Sequence, residues 1–103
     1  MSIRISAVPN KQWTLLSNHA RVLIQVSQKP DALLSELSSL LGISLRAVQG
    51  IVADLERDQF IVVVKNGRRN HYRIKEHAHF RHPLESDHEV EQLLEIFRND
   101  SKI

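Results

Sequence analysis

The stretch LGISLRAVQGIVADLERDQFIVVVKNGRRNHYRI, residues 41–74, changes its apolar period from helical to alternating partway along, with almost nothing between the two patterns. In its first half Val48, Ile51, Val52 and Leu55 fall at i, i+3, i+4 and i+7, one stripe suited to a core, which Ala47 widens. Ser44 fits the N-cap, because its hydroxyl can accept a hydrogen bond from an orphan backbone N–H of the first turn; Leu45 is then the first helical residue. In the second half Phe60 to Lys65 is apolar and β-branched, Asn70 to Ile74 alternates, and Asn66-Gly67 between them is a strong hairpin signal. A turn at that dipeptide puts Ile61 and Val63 on one face with Tyr72 and Ile74.

The residues left outside are the informative ones. Beyond the capping Ser44, the exposed face of the first two helical turns offers Leu45, Arg46, Gln49, Gly50 and Ala53, a half-helix of the size that a major groove admits. Asp54, Glu56 and Asp58 follow, and phosphate would repel them, so only the N-terminal half is expected to enter a groove. The tip and outer face of the hairpin carry Lys65, Arg68, Arg69, His71 and Arg73, with Asn70 among them. Arg68 and Arg69 stand beside the turn, where long side chains can reach a phosphate backbone or a minor groove.

Upstream, Ser35 to Leu41 reads as a short helix with Leu37, Leu40 and Leu41 apolar, and Gly42 sits where a helix stop wants a left-handed residue. Two short helices joined by Gly42, Ile43 and Ser44 have helix-turn-helix spacing, in which the second helix is the reader. By themselves these helices fit any αα-corner equally well, and the basic hairpin decides between the two. The expected fold is mainly α with a small β-wing: a winged helix-turn-helix domain plus a C-terminal helix. Its expected divisions are an N-terminal arm (1–12), the DNA-binding domain (13–82) and the C-terminal helix (83–103).

The chain resembles the winged helix-turn-helix transcriptional regulators of MarR and ArsR type. The resemblance runs from WTLLSNHARVL (Trp13 to Leu23) through SELSSLLGISLRAVQGIVADLE (Ser35 to Glu56) and GRRNHYRI (Gly67 to Ile74) to RHPLE (Arg81 to Glu85), the middle block and the wing being its specific parts. It implies a prokaryotic repressor-like protein, usually a homodimer, with Leu45, Arg46, Gln49 and Gly50 facing bases and Arg68 and Arg69 in the wing. Two positions depart from the pattern. Gly50 stands where related proteins present a long polar side chain, although a glycine inside a helix costs about 1 kcal/mol relative to alanine. Gln59 stands where a glycine commonly ends this helix.

Length and composition agree with one small domain: 103 residues, no cysteine and a net charge of +2. The missing cysteines exclude a disulfide scaffold and thiolate metal sites. No signal peptide or membrane span is expected, because the longest apolar run is only Phe60 to Val64; the expected compartment is the cytoplasm, with no membrane partner. The small net charge is unevenly spread, +4 over residues 45–82 and −4 over residues 83–103. That polarity would set the protein on a polyanion with its tail outward.

Ser17 is a plausible N-cap for a helix to about Ser27, with Ala20, Leu23 and Ile24 toward the core and Val22 and Val26 widening the face. Trp13, Leu15 and Leu16 precede this helix and can cover either a core or a subunit seam; at the base of a small domain the core is the expectation. In the tail, Ser86 with Glu89 makes a capping box before Val90, Leu93, Leu94 and Phe97, an apolar stripe that must be buried on its own subunit or across a two-fold axis, and is assigned to a dimer interface.

Six histidines, among them His77, His79, His82 and His88, lack specific metal-ligand spacing and read as polar loop residues, so neither metal nor cofactor is assigned. No nucleophile motif, phosphate loop or paired-carboxylate constellation points to an enzyme. The partner implied is double-stranded DNA; a small-molecule effector is compatible and leaves no mark in the sequence. The rival reading is a winged helix used as a protein-interaction module, which salt would barely weaken.

Overall fold

The Ser17 hydroxyl accepts from the Ala20 N–H at 3.2 Å and opens α1 (Asn18–Gln28), as its capping position leads one to expect. The computed structural model describes residues 13–100; the expected arm at 1–12 and residues 101–103 lie outside the described residues. After α1 come α2 (Leu34–Leu41), α3 (Leu45–Arg57), the strands β1 (Ile61–Asn66) and β2 (Arg69–Ile74), and α4 (Val90–Asp100). Four helices thus accompany one two-stranded antiparallel hairpin. None of these helices is long and apolar enough to cross a membrane.

Three consecutive residues of α1, Val22, Leu23 and Ile24, are buried together with Val26. A helix facing one neighbour could not bury adjacent positions, which lie about 100° apart around its axis. Here α1 is covered on several sides, by α2, α3, α4 and β2. Leu37 from α2, Val48, Ile51 and Leu55 from α3, Ile61 and Tyr72 from the hairpin, and Val90 and Leu94 from α4 complete one core.

The turn between α2 and α3 forms as its residues suggest. Gly42 takes φ 72°, ψ 31°, and the N–H groups of Gly42 and Ile43 both reach the Ser38 carbonyl. Ser44 then caps α3 by accepting from Ala47 N–H at 3.0 Å. The far end of α3 stops without glycine. Gln59 itself adopts φ 68°, Phe60 N–H bonds to the Leu55 carbonyl at 2.8 Å, and Gln59 N–H bonds to the Glu56 carbonyl at 3.1 Å. Those two bonds are a Schellman closure, with Gln59 in the left-handed position that usually falls to glycine.

The hairpin differs from expectation in its turn. Asn66 pairs with Arg69, so the two loop residues are Gly67 and Arg68 rather than Asn66 and Gly67. Gly67 has φ 67° and Arg68 has no positive φ, which matches a turn with glycine at its first central position. Moving the turn by one residue moves each cross-strand partner by two, so the faces survive: Ile61 and Val63 still share one with Tyr72 and Ile74. The outer edge of β2 is covered by the loop between α1 and α2, where Tyr72 N–H donates to the Pro30 carbonyl at 2.8 Å.

Several core assignments change. Ala47 is exposed, lying one residue and so about 100° away from Val48 at the centre of the stripe. Leu40, at the end of α2, is exposed as well. Trp13 and Leu15 stand in solvent, and only Leu16 of that trio packs against the core. Ser86 does not cap α4: it lies in a turn where its hydroxyl donates to the Pro83 carbonyl, and Glu89, just before α4, pairs as an isolated bridge with His79.

The assigned dimer stripe is also corrected. Val90 and Leu94 are buried against their own subunit, and Phe97 packs at the edge of the same core, with Leu93 half-buried beside them. The stripe is spent inside the chain, where α4 packs against α1.

Candidate nucleic-acid interface

Ser44 holds the first turn of α3, and its cap leaves Leu45, Arg46, Gln49 and Gly50 on the solvent side of that helix. Val48, Ile51 and Leu55 anchor the opposite face, so the exposed set is presented by a helix fixed along its whole length. A Cβ at Gly50 would meet nothing within 4 Å among the described residues, and its backbone is ordinary helix, so none of those residues calls for glycine there.

The hairpin distributes its basic residues over two faces and a tip. Arg69, His71 and Arg73 lie on the outer face, cross-strand from Asn66, Val64 and Val62. Lys65 and Asn70 pair with each other on the face that carries Tyr72. Lys65 is nevertheless exposed, near the tip of the hairpin, while Asn70 is half-buried and its amide donates to the Tyr72 hydroxyl at 3.3 Å. Arg68 is at the tip itself.

Partnering separates these groups more sharply than position. Arg46, Lys65, Arg68 and Arg73 form no hydrogen bond or ion pair among the described residues. Neither residues 45–53 nor residues 61–74 contain a single Asp or Glu. Cations elsewhere are mostly neutralised: Arg57 by Asp54 and Asp58, Arg81 by Asp58, Lys29 by Glu36, and Arg98 by Glu91 and Glu95.

Arg69 departs from the role expected of it. Its guanidinium donates to the Asp31 carbonyl at 2.9 Å, which ties the hairpin to the loop between α1 and α2. Sequence reasoning missed this bond because its acceptor is a backbone carbonyl distant in the chain, which leaves no trace in residue type.

The acidic half of α3 is occupied internally. Asp54 Oδ2 lies 2.8 Å from His19 Nε2, and the hydrogen bond from His19, with help from Arg57, holds the Asp54 carboxyl below its ordinary range. Arg57, assisted by Arg81, does the same for Asp58. These carboxylates lie at the opposite end of the helix from Arg46, and each faces a cation of the same chain. The loop histidines are likewise separately engaged: His77 with Glu89, His79 with the Ser86 carbonyl, His82 with the Leu84 N–H, and His88 with Gln92. Among the described residues no three His, Cys, Asp or Glu side chains converge on a point where a metal could sit.

Comparison with protein-family models and with curated proteins gives no match. The functional reading therefore rests on geometry and charge. What the arrangement offers chemically is a firmly seated helix end with one guanidinium and one amide, beside a hairpin whose cations lack counter-charges.

Proposed function

We propose that the chain is a winged helix-turn-helix protein that binds duplex DNA in a sequence-specific way and acts as a transcriptional regulator, working as a homodimer. The observation that carries this reading is the set of four cations without a partner among the described residues, Arg46, Lys65, Arg68 and Arg73, on two adjoining elements that contain no carboxylate over residues 45–53 and 61–74. A chain under no demand to meet a polyanion tends to scatter counter-charges among its cations, as the rest of this one does.

In this reading the N-terminal half of α3 lies in the major groove. Arg46 suits guanine O6 and N7, Gln49 suits adenine N6 and N7, and each good bidentate contact contributes about 1–3 kcal/mol of discrimination against the wrong base. Arg68 and Arg73 meet phosphates or the adjacent minor groove, and fix register rather than sequence. Arg69 holds the hairpin at a set angle to the helices. The rival reading, a protein-interaction module, leaves the unpaired cations without a purpose.

Selection of bound sites from a random duplex library tests the proposal. A defined motif is expected for the wild type, with preference relaxed at particular base pairs in Arg46→Ala and the same motif retained, at weaker affinity, in Arg68→Ala. No enrichment over the starting library would reject sequence-specific binding, and identical motifs from all three proteins would reject the role given to Arg46.

A further inference from the structure

A cleft of about 530 Å³ opens between the start of α1, the C-terminal end of α3 and the segment that leads into α4. Leu23, Leu55, Phe60, Phe80 and Val90 line it with apolar surface, while the His19–Asp54 and Arg81–Asp58 pairs form part of its polar lining. Leu15 also lines this cleft, yet it is 88% exposed, and Trp13 two residues earlier is 83% exposed. Leu84, beside the cleft residue Glu85, is 84% exposed. Leu15 at the open apolar recess, and Trp13 and Leu84 close to its lining residues along the chain, therefore stand in solvent, a combination that marks an interaction surface.

We propose that Trp13 and Leu15 insert into the cleft of a second copy of this chain, whose own Trp13 and Leu15 fill the cleft of the first. The argument is one of self-complementarity. In a two-fold interface residue i meets j and j meets i, so projection and recess must share one face of the subunit, as exposed Leu15 at the rim of the cleft does here, with Trp13 two residues before it. One closed dimer then fills both recesses. The area is of the right order: an aromatic side chain brings roughly 150–250 Å², and a stable interface takes about 800 Å² from each partner, so Trp13 supplies about a quarter and Leu15, Leu84 and the cleft walls extend it. Because Asp54, Asp58 and Arg81 are already paired within the subunit, docking buries no lone charge among them.

The inference rests on the homodimer named under the proposed function and moves its interface away from α4, whose Val90 and Leu94 serve the core. It also keeps the proposed DNA face open, since the cleft touches α3 at Asp54 to Asp58 and not at Arg46 or Gln49.

The test uses the full chain, sedimentation over a range of micromolar concentrations, and the emission of Trp13, the single tryptophan. A dimer is expected, with tryptophan emission shifting to the blue as concentration rises. The double variant Trp13→Ser/Leu15→Ser should sediment as a monomer, its dissociation constant raised at least about 100-fold by loss of an aromatic anchor on both subunits. Both side chains are exposed in the subunit, so circular dichroism and the unfolding midpoint should stay put. A monomeric wild type overturns the inference. If its emission is blue at every dilution, the chain's own N-terminal residues cover the cleft; if red, nothing does. A variant that stays dimeric overturns it too. Duplex binding is measured on the same samples: a wild-type dimer without DNA affinity supports this interface and rejects the DNA reading, whereas a monomer that binds DNA does the reverse.

Discussion

The Arg69 guanidinium donates to the Asp31 carbonyl at 2.9 Å, while its neighbour Arg68 has no partner among the described residues. Two adjacent arginines thus have different tasks, one within the fold and one facing outward. Arg69→Ala should lower unfolding free energy by about 1 kcal/mol, the usual net worth of such a bond at an exposed position. Arg68→Ala should leave stability within about 0.5 kcal/mol of wild type and weaken duplex binding. Urea unfolding of both variants separates the roles, and equal stability losses would contradict the assignment.

Gly50 offers a second separation of stability from binding. Replacing it with alanine adds a Cβ that meets no atom of the described residues and should stabilise α3 by about 1 kcal/mol. If a duplex backbone approaches α3 closely at this point, the same Cβ weakens DNA binding. Denaturant midpoints paired with DNA titrations are expected to move in opposite directions. A variant that is both more stable and equally tight would show that the glycine has no contact role.

Leu94 is fully buried against its own subunit. Leu94→Ala should therefore cost about 2–5 kcal/mol of subunit stability, independent of protein concentration. A loss that vanishes at high protein concentration, read from urea curves at several concentrations, would instead return this residue to a subunit seam.

Stability should also respond to pH through the pair His77 Nδ1–Glu89 Oε2, 3.0 Å apart. The hydrogen bond and charge of Glu89 raise the His77 imidazole above its ordinary 6.5. A raised folded value means that the contribution is complete below about 6.5 and disappears as pH rises through the folded pKa. His77→Gln should flatten the stability profile in that window only. Asp54, Asp58, Glu36 and Glu91 are displaced downward by their hydrogen-bonded partners, so their contributions hold at neutral pH and fall away in acid, below their ordinary values. A profile of His77→Gln identical to wild type would show that the pair does not form in solution.

Much of the fold could be read locally because local chemistry determined it. Ser17 and Ser44 cap α1 and α3, Gly42 turns the chain between α2 and α3, and the stripe of Val48, Ile51 and Leu55 is buried as spaced. Gln59 shows where residue type misleads: the Phe60–Leu55 bond closes the helix and imposes a left-handed conformation that glutamine disfavours by about 1–2 kcal/mol. The stripe on α4 was legible as buried but not its partner, because periodicity reveals a face and not what covers it. In the candidate site, the unpaired state of Arg68 and the engagement of Arg69 depend on where Asp31 lies, and no spacing between adjacent residues encodes that.

The most direct test of the central claim is the salt dependence of duplex affinity, compared between the wild type and a variant with Arg46, Lys65, Arg68 and Arg73 all changed to serine. These side chains are exposed and unpaired, so the variant should fold normally. Each phosphate contact contributes about 0.9 to the slope of log affinity against log salt. The wild type is expected to weaken steeply with salt, and the variant's slope should be shallower by up to about 3.6 if all four meet phosphate, less where Arg46 is spent on a base. Equal slopes in the two proteins, or wild-type binding indifferent to salt, would contradict the account.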